Sequence, residues 1–219
     1  EPVTVAASRA VVDARPSGDL LQRRALEQQV VGALAARPVA LSGEAGVGKS
    51  TLVRAVITRF EAAGRMVVEV GASADPIRPM EVIAEIYERF AADRADLVDA
   101  LPESPAAAAA VARLLGERRS DVPAISREQL IAELSSLVAR LLVASGSVLV
   151  VEDVHWIDNG SAEVIAELAN GASCTVLVTA RQAVEELFGA GWRRFVQLDV
   201  PPFTMGEVRE LLHQALPVR

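Results

Sequence analysis

LSGEAGVGKSTLVR, residues 41–54, carries the pattern G-x-x-x-x-G-K-[ST] from Gly43 to Ser50. An apolar run, Val39 to Leu41, precedes it, and helical spacing follows from Ser50 to about Ala63. Strand, glycine-rich turn and helix in that order make an anion hole, because the turn points backbone N–H groups inward and the helix adds the positive end of its dipole. Gly43, Gly46 and Gly48 let the backbone bend that tightly. The expected polyphosphate cradle is Gly43, Glu44, Ala45, Gly46, Val47, Gly48, Lys49, Ser50 and Thr51. In it Lys49 bridges the β- and γ-phosphates, the Ser50 hydroxyl ligates Mg²⁺ and Thr51 lies near the α-phosphate. Lys49 is the one lysine among 22 basic residues. A compact ammonium kept against so strong an arginine bias marks a position that a planar guanidinium cannot fill.

Outward from this turn, short β runs alternate with helical segments, the pattern of parallel strands joined by crossover helices. A helix is expected from Leu20 to about Ala36, then the strand Val39 to Leu41 and the helix from Ser50. The strand Met66 to Val70 and a helix from Met80 to Ala92 come next. Residues 93–123, with Pro102, Pro105, Gly116 and Pro123, read as an insertion of short helices. A capping box at Ser126 and Gln129 opens a long helix to about Ala144. Val148 to Val151 is a wholly apolar strand, as expected where helices cover both sheet faces. A helix near Ser161 to Ala169, a strand Thr175 to Thr179, a helix near Gln182 to Leu187 and a strand Arg194 to Leu198 follow. A second capping box, Thr204 with Glu207, starts a last helix that ends at Pro217. Residues 1–19 read as a linker, with one short strand at Val3 to Val5.

Composition narrows the function. The chain has 219 residues, 51% hydrophobic and 23% charged, enough for one complete domain with attached segments. Its net charge of −7 supplies no global field for nucleic acid or an anionic membrane. Cys174 is the only cysteine, which excludes an internal disulfide framework and fits a cytoplasmic setting. No apolar stretch reaches the roughly 18 residues needed to span a bilayer. The chain begins with Glu1 rather than Met and reads as an excised piece.

A second constellation lies in VLVVEDVHWID, Val148 to Asp158, where Glu152 and Asp153 directly follow apolar β residues. Ligands of open α/β sheets bind at the carboxyl ends of strands, so both acids should face the nucleotide. By position Glu152 takes the metal role and Asp153 orients or deprotonates the attacking water. His155, Trp156 and Asp158 are weighed as packing rather than chemistry, since a buried aromatic with a polar tip more often packs. In TVLVTAR, Thr175 to Arg181, either Thr179 or Arg181 could reach the γ-phosphate. Arg193 and Arg194 are read as a plain surface pair in preference to an arginine finger.

Together LSGEAGVGKSTLVR, VLVVEDVHWID and VLVTAR resemble the STAND family, signal-transduction ATPases with numerous domains, within the P-loop AAA+-like group. VQLDVPPFTMGEVRELL, Val196 to Leu212, looks like the family's segment leading toward a helical lid. The resemblance implies an α/β fold: a P-loop NTPase three-layer sandwich with a five-stranded, mainly parallel sheet in the order 5-1-4-3-2. It implies a domain over residues 20–203 and a truncated lid from residue 204. It also implies catalytic roles for Lys49, Glu152, Asp153 and Arg181, with Ser50 and Glu152 at the metal. The implied activity is an ATP/ADP switch with slow Mg²⁺-dependent hydrolysis in a multidomain bacterial signalling or transcription regulator. Its partners would be other domains of the same polypeptide and a nucleotide-dependent homo-oligomer, with no membrane and no direct nucleic acid contact from this piece. Two departures stand out. Glu152 occupies the place where the family has Asp, so binding is implied more strongly than hydrolysis, and LLQRRALEQQ lacks the family's Gly-Arg-Glu start, leaving Arg23 as its one match. EPVTV is similar to the tail of class III nucleotidyl cyclase domains. The rival readings are a nucleotide-holding scaffold with negligible turnover and an AAA+ motor acting on DNA.

Overall fold

The structure, a computed structural model, describes residues 21–101, 104–117, 120–171 and 174–208. The expected strand at Val3 to Val5 and the end of the last helix lie outside these residues. Helix α1 (Leu21–Leu34) leads into β1 (Val39–Ser42), the glycine-rich turn and α2 (Lys49–Ala62). Then come β2 (Val67–Gly71), α3 (Glu81–Asp93), α4 (Ala95–Asp99), α5 (Pro105–Leu114) and α6 (Arg127–Ser145). The chain continues through β3 (Val148–Glu152), α7 (Asn159–Asn170), β4 (Thr175–Thr179), α8 (Val184–Phe188) and β5 (Val196–Asp199). Residues 205–208 are helical.

The five strands form one sheet in the order β2-β3-β4-β1-β5, the expected order read from its other edge. All four strand pairings are parallel. Alternation along β3 shows why both faces must be covered. Leu149 and Val151 enter a core with α3, α5, α6 and α7, whereas Val148 and Val150 enter a second core with α1 and α2. Side chains of successive strand residues point to opposite faces, so a strand apolar throughout needs helices on both. The result is a three-layer α/β/α sandwich.

Local chemistry sets the element ends. At α6 the Ser126 N–H donates to Gln129 Oε1 at 3.0 Å, while the Gln129 N–H donates to Ser126 Oγ at 3.2 Å. These bonds satisfy two donors of the first turn reciprocally. Gly146 closes the helix at φ 65°, a conformation glycine takes without strain. The insertion holds α4 and α5, the latter started by Pro105 and by the Ser104 hydroxyl accepting from Ala107 N–H at 2.9 Å. Helix α8 starts two residues later than the sequence pattern suggests. The Val184 N–H instead donates to the Gln197 side chain at 3.2 Å, and Ala183 before it is extended at ψ 130°. Beneath α8, the rings of Phe188, Trp192 and Phe195 stack with centroids 4.7 and 4.8 Å apart.

Because β4 lies between β3 and β1, the carboxyl ends of these three strands are neighbours. Leu41 is level with Thr179, and Val151 with Val178. The turn after β1 and the acids after β3 therefore meet at one end of the sheet. Arg194, which precedes β5, belongs to the opposite end; there its guanidinium donates to Asn170 O at 3.2 Å and lines a cavity of about 470 Å³ with Arg37 and Cys174. Arg193 pairs with Glu185 at 2.8 Å. Among the described residues, no helix is long and apolar enough to cross a membrane.

Candidate nucleotide site

The turn after β1 has the backbone that its glycines permit. Gly43 sits at φ 153°, Gly46 at 82° and Gly48 at 90°, the last in the left-handed region and directly before α2. At two of these positions there is also no room for a side chain. A Cβ on Gly43 would lie 2.8 Å from the Val200 carbonyl, and one on Gly48 would lie 2.6 Å from Phe203 Cζ. The segment after β5 thus packs against the outside of the turn and helps hold its curvature.

Lys49 opens α2 and reaches back over the turn, donating from Nζ to Gly43 O at 2.7 Å and Glu44 O at 2.9 Å. It is only 8% exposed. Burial holds its pKa below the ordinary lysine value, and the nearby Arg181 cation adds to this, while Asp153 and Glu152 pull the other way. At the next residue, the Ser50 hydroxyl donates to Glu152 Oε2 at 2.7 Å. The structure therefore joins the helix start to the end of β3 through the two side chains assigned to the cation. A hydroxyl and a carboxylate beside the glycine-rich turn form a hard-oxygen donor set suited to Mg²⁺, which takes few protein ligands and keeps most of its water.

Asp153 stands next to them in a left-handed backbone conformation, φ 56° and ψ 41°. Its N–H donates to Thr179 Oγ1 at 2.9 Å, which fixes its main chain to the end of β4. Thr179 is buried, and its hydroxyl serves this backbone bond. Non-glycine residues held in such strained conformations cluster at functional sites. Arg181 lies 5.5 Å from the centroid of the Trp156 ring, which is 44% exposed. Asp158 caps α7, accepting from Ser161 N–H at 3.0 Å and Ser161 Oγ at 2.7 Å, so its role is structural.

Three further residues stand at the site: sequence reasoning gave no role to Phe203 and Glu69, and it weighed His155 as packing. Phe203 seats its ring on Gly48, with the Arg23 guanidinium 4.3 Å above the ring centroid. Arg23 also donates to Pro201 O at 2.6 Å and lies 3.9 Å from Glu207, whose side chain completes the expected capping box by accepting from Thr204 N–H at 2.7 Å. Glu69 on β2 lies level with Val150, on the same sheet face as Glu152. Burial, together with the neighbouring Glu152 carboxyl, raises its pKa above the ordinary glutamate value. His155 is the third, with both ring nitrogens buried and unpartnered among the described residues.

The sequence pattern of the AAA ATPase domain matches residues 20–178, which include the turn, both acids and most of the sheet. The chain belongs to the AAA ATPase domain family. Solved structures agree with this AAA ATPase fold. A chain of the Drosophila ORC bound to AT-rich DNA and Cdc6 superposes with a TM-score of 0.52 at 13% identity, over 84% of this chain and 57% of that one. Cdc6p from Pyrobaculum aerophilum gives 0.52 at 13% identity, over 94% and 51%. The Aeropyrum pernix ORC2 protein, solved as ADPNP–ADP complexes, gives 0.50 at 15%, over 88% and 50%. At these identities the likeness is one of fold, and the AAA ATPase chain spans about half the length of the structures it matches. Among curated proteins, no sequence match to it is found.

Proposed function

We propose that this AAA ATPase chain is an ATP/ADP-binding switch module that hydrolyses ATP slowly with Mg²⁺ and regulates a multidomain signalling or transcription protein. The observation that carries this reading is the joining of the cradle to the acidic strand end: Lys49 lies over the glycine turn, and Ser50 reaches Glu152 at 2.7 Å. In this reading Gly43 to Thr51 bind the phosphate chain, and Lys49 turns from the Gly43 and Glu44 carbonyls to the β- and γ-phosphates. Ser50 and Glu152 hold Mg²⁺, which supplies charge neutralisation on the phosphates. Asp153 orients the attacking water, and Arg181, released from Trp156, contacts the γ-phosphate. Residues 1–19 are a linker, 20–203 the ATPase domain and 204–219 the start of a helical lid. The partners are other domains of the same polypeptide and further copies of the chain. A ligand shifts such a switch only by binding its two states with different affinity.

Phosphate release under Mg·ATP tests the reading. Slow turnover in the wild type, abolished in Asp153→Asn with binding retained, supports it. A second reading, a nucleotide-holding scaffold with negligible hydrolysis, is favoured by one observation: the carboxylate that Ser50 reaches is Glu152, a glutamate where the resemblance implies aspartate. Under that reading the wild type releases no phosphate and Glu152→Asp gains turnover. The Drosophila ORC is bound to DNA, but the net charge of −7 here gives a DNA motor little electrostatic support. Tight, salt-sensitive DNA binding by this chain in a gel shift would revive that alternative.

A further inference from the structure

The His155 side chain is 9% exposed, yet among the described residues neither Nδ1 nor Nε2 has a hydrogen-bond partner. Buried side-chain nitrogens are almost always paired, so an orphaned imidazole asks what completes it. The Asp153 carboxylate lies beside it, with Oδ1 3.8 Å from Nδ1, about 1 Å beyond a normal bond. The two partners differ in freedom. His155 is packed beside the Trp156 ring, 5.0 Å between centroids. Asp153 has its main chain pinned to Thr179 at 2.9 Å, while its side chain is 54% exposed. The aspartate side chain is therefore the freer of the two partners to close the gap.

We propose that His155 is a positioning residue of the nucleotide site: when a nucleoside triphosphate occupies the cradle, its Nδ1–H donates to the Asp153 carboxylate and fixes the group that orients the attacking water. The inference rests on the reading of the cradle as an ATP seat. What drives the closure is visible in the charges around it. Asp153 now interacts with the Lys49 ammonium. A phosphate chain engaging Lys49 removes that attraction and repels the carboxylate, leaving His155 as a donor beside it. The charged groups facing His155 are Asp153, Arg181 and Lys49. Burial and the two cations lower the pKa of the ring against the pull of Asp153, and a neutral imidazole has one N–H to give and one acceptor nitrogen.

The sequence holds two histidines, His155 and His213. His213→Gln therefore leaves one imidazole, whose ring nitrogens are read directly by ¹⁵N NMR in the full chain, while calorimetry measures nucleotide binding on the same sample. The expected result is a ring that gains a hydrogen-bonded Nδ1–H signal with Mg·ATPγS, absent in the free chain. A ring unchanged, or protonated only at Nε2, with Mg·ATPγS bound overturns this proposal and leaves the ATP seat standing. No binding of Mg·ATPγS overturns both. Kinetics supply a second readout, because displacing a water-orienting group by about 1 Å costs up to about a hundredfold in rate. His155→Phe should lower kcat toward that extent with KM for Mg·ATP nearly unchanged, and His155→Asn, which returns an N–H near Nδ1, should recover much of the loss. Equal kcat for the Phe variant and the wild type would refute the positioning role.

Discussion

Gly48→Ala puts a methyl group into the seat between the cradle and the segment after β5. The new Cβ would lie 2.6 Å from Phe203 Cζ and 2.9 Å from Cε2. The ring cannot swing aside freely, because the Arg23 guanidinium covers it at 4.3 Å and is itself bonded to Pro201 O. Two costs add. A side chain at φ 90° costs about 1–2 kcal/mol, and overpacking costs about 1–3 kcal/mol. The sum, about 2–5 kcal/mol, lowers Tm by about 4–20 °C at roughly 2–4 °C per kcal/mol for a chain of this size. Phe203→Ala removes the collision but not the backbone strain, so Gly48→Ala should cost only about 1–2 kcal/mol in that background. Urea unfolding of the wild type, both single variants and the double variant gives the coupling directly, expected at about 1–3 kcal/mol. Effects that add to within about 0.5 kcal/mol would refute the contact between Phe203 and the turn.

Glu69→Gln should raise Tm at pH 7.5. The folded state holds the Glu69 proton more tightly than the unfolded chain, so this residue's contribution to stability falls as pH rises through the window above its ordinary value; glutamine removes the repulsion from Glu152, and the gain should vanish near pH 4 in a thermal melt series. His155 has the opposite sign: its lowered pKa means the unfolded chain binds the extra proton first, so stability is lost as pH falls below about 6.5. His155→Phe should flatten that part of the pH–stability curve, and an unchanged slope would contradict the burial argument. Ser126→Ala deletes the hydroxyl that accepts from Gln129 N–H and should cost about 1 kcal/mol in urea unfolding, the usual loss for an N-cap.

The fold was legible because its determinants are local. Val148 to Val151 is apolar at every position, Ser126 and Gln129 mark a helix start, and the glycine turn fixes what precedes and follows it. These patterns need no knowledge of distant residues. Cradle and acids were legible for the same reason, since Lys49, Ser50, Glu152 and Asp153 lie at fixed offsets from their strands. Contacts between elements were not. Glu69 carries no signal of its own in the sequence, and only the pairing of Gly71 with Glu152 places it on the same sheet face as that carboxylate. Phe203 reaches Gly48 from 155 residues away in sequence, through the β1–β5 pairing. His155 was judged a packing residue, and its burial agrees, but unpartnered nitrogens become visible only once every neighbour is placed. Thr179 was a candidate for the γ-phosphate. Its hydroxyl also accepts from the Asp153 backbone N–H, a use that depends on β4 lying beside β3.

The claim beneath all of this is that the turn after β1 seats a triphosphate with Lys49 as its counter-charge. Calorimetric titration of the wild type and Lys49→Ala with Mg·ATP and Mg·ADP tests it most directly. A charge-assisted hydrogen bond from the ammonium is worth about 1.5–3 kcal/mol, which is about 10- to 150-fold in affinity. The wild type should bind one nucleotide per chain and Lys49→Ala should lose affinity by that factor while its Tm without nucleotide stays close to the wild type. Equal affinity in the two proteins would contradict the account.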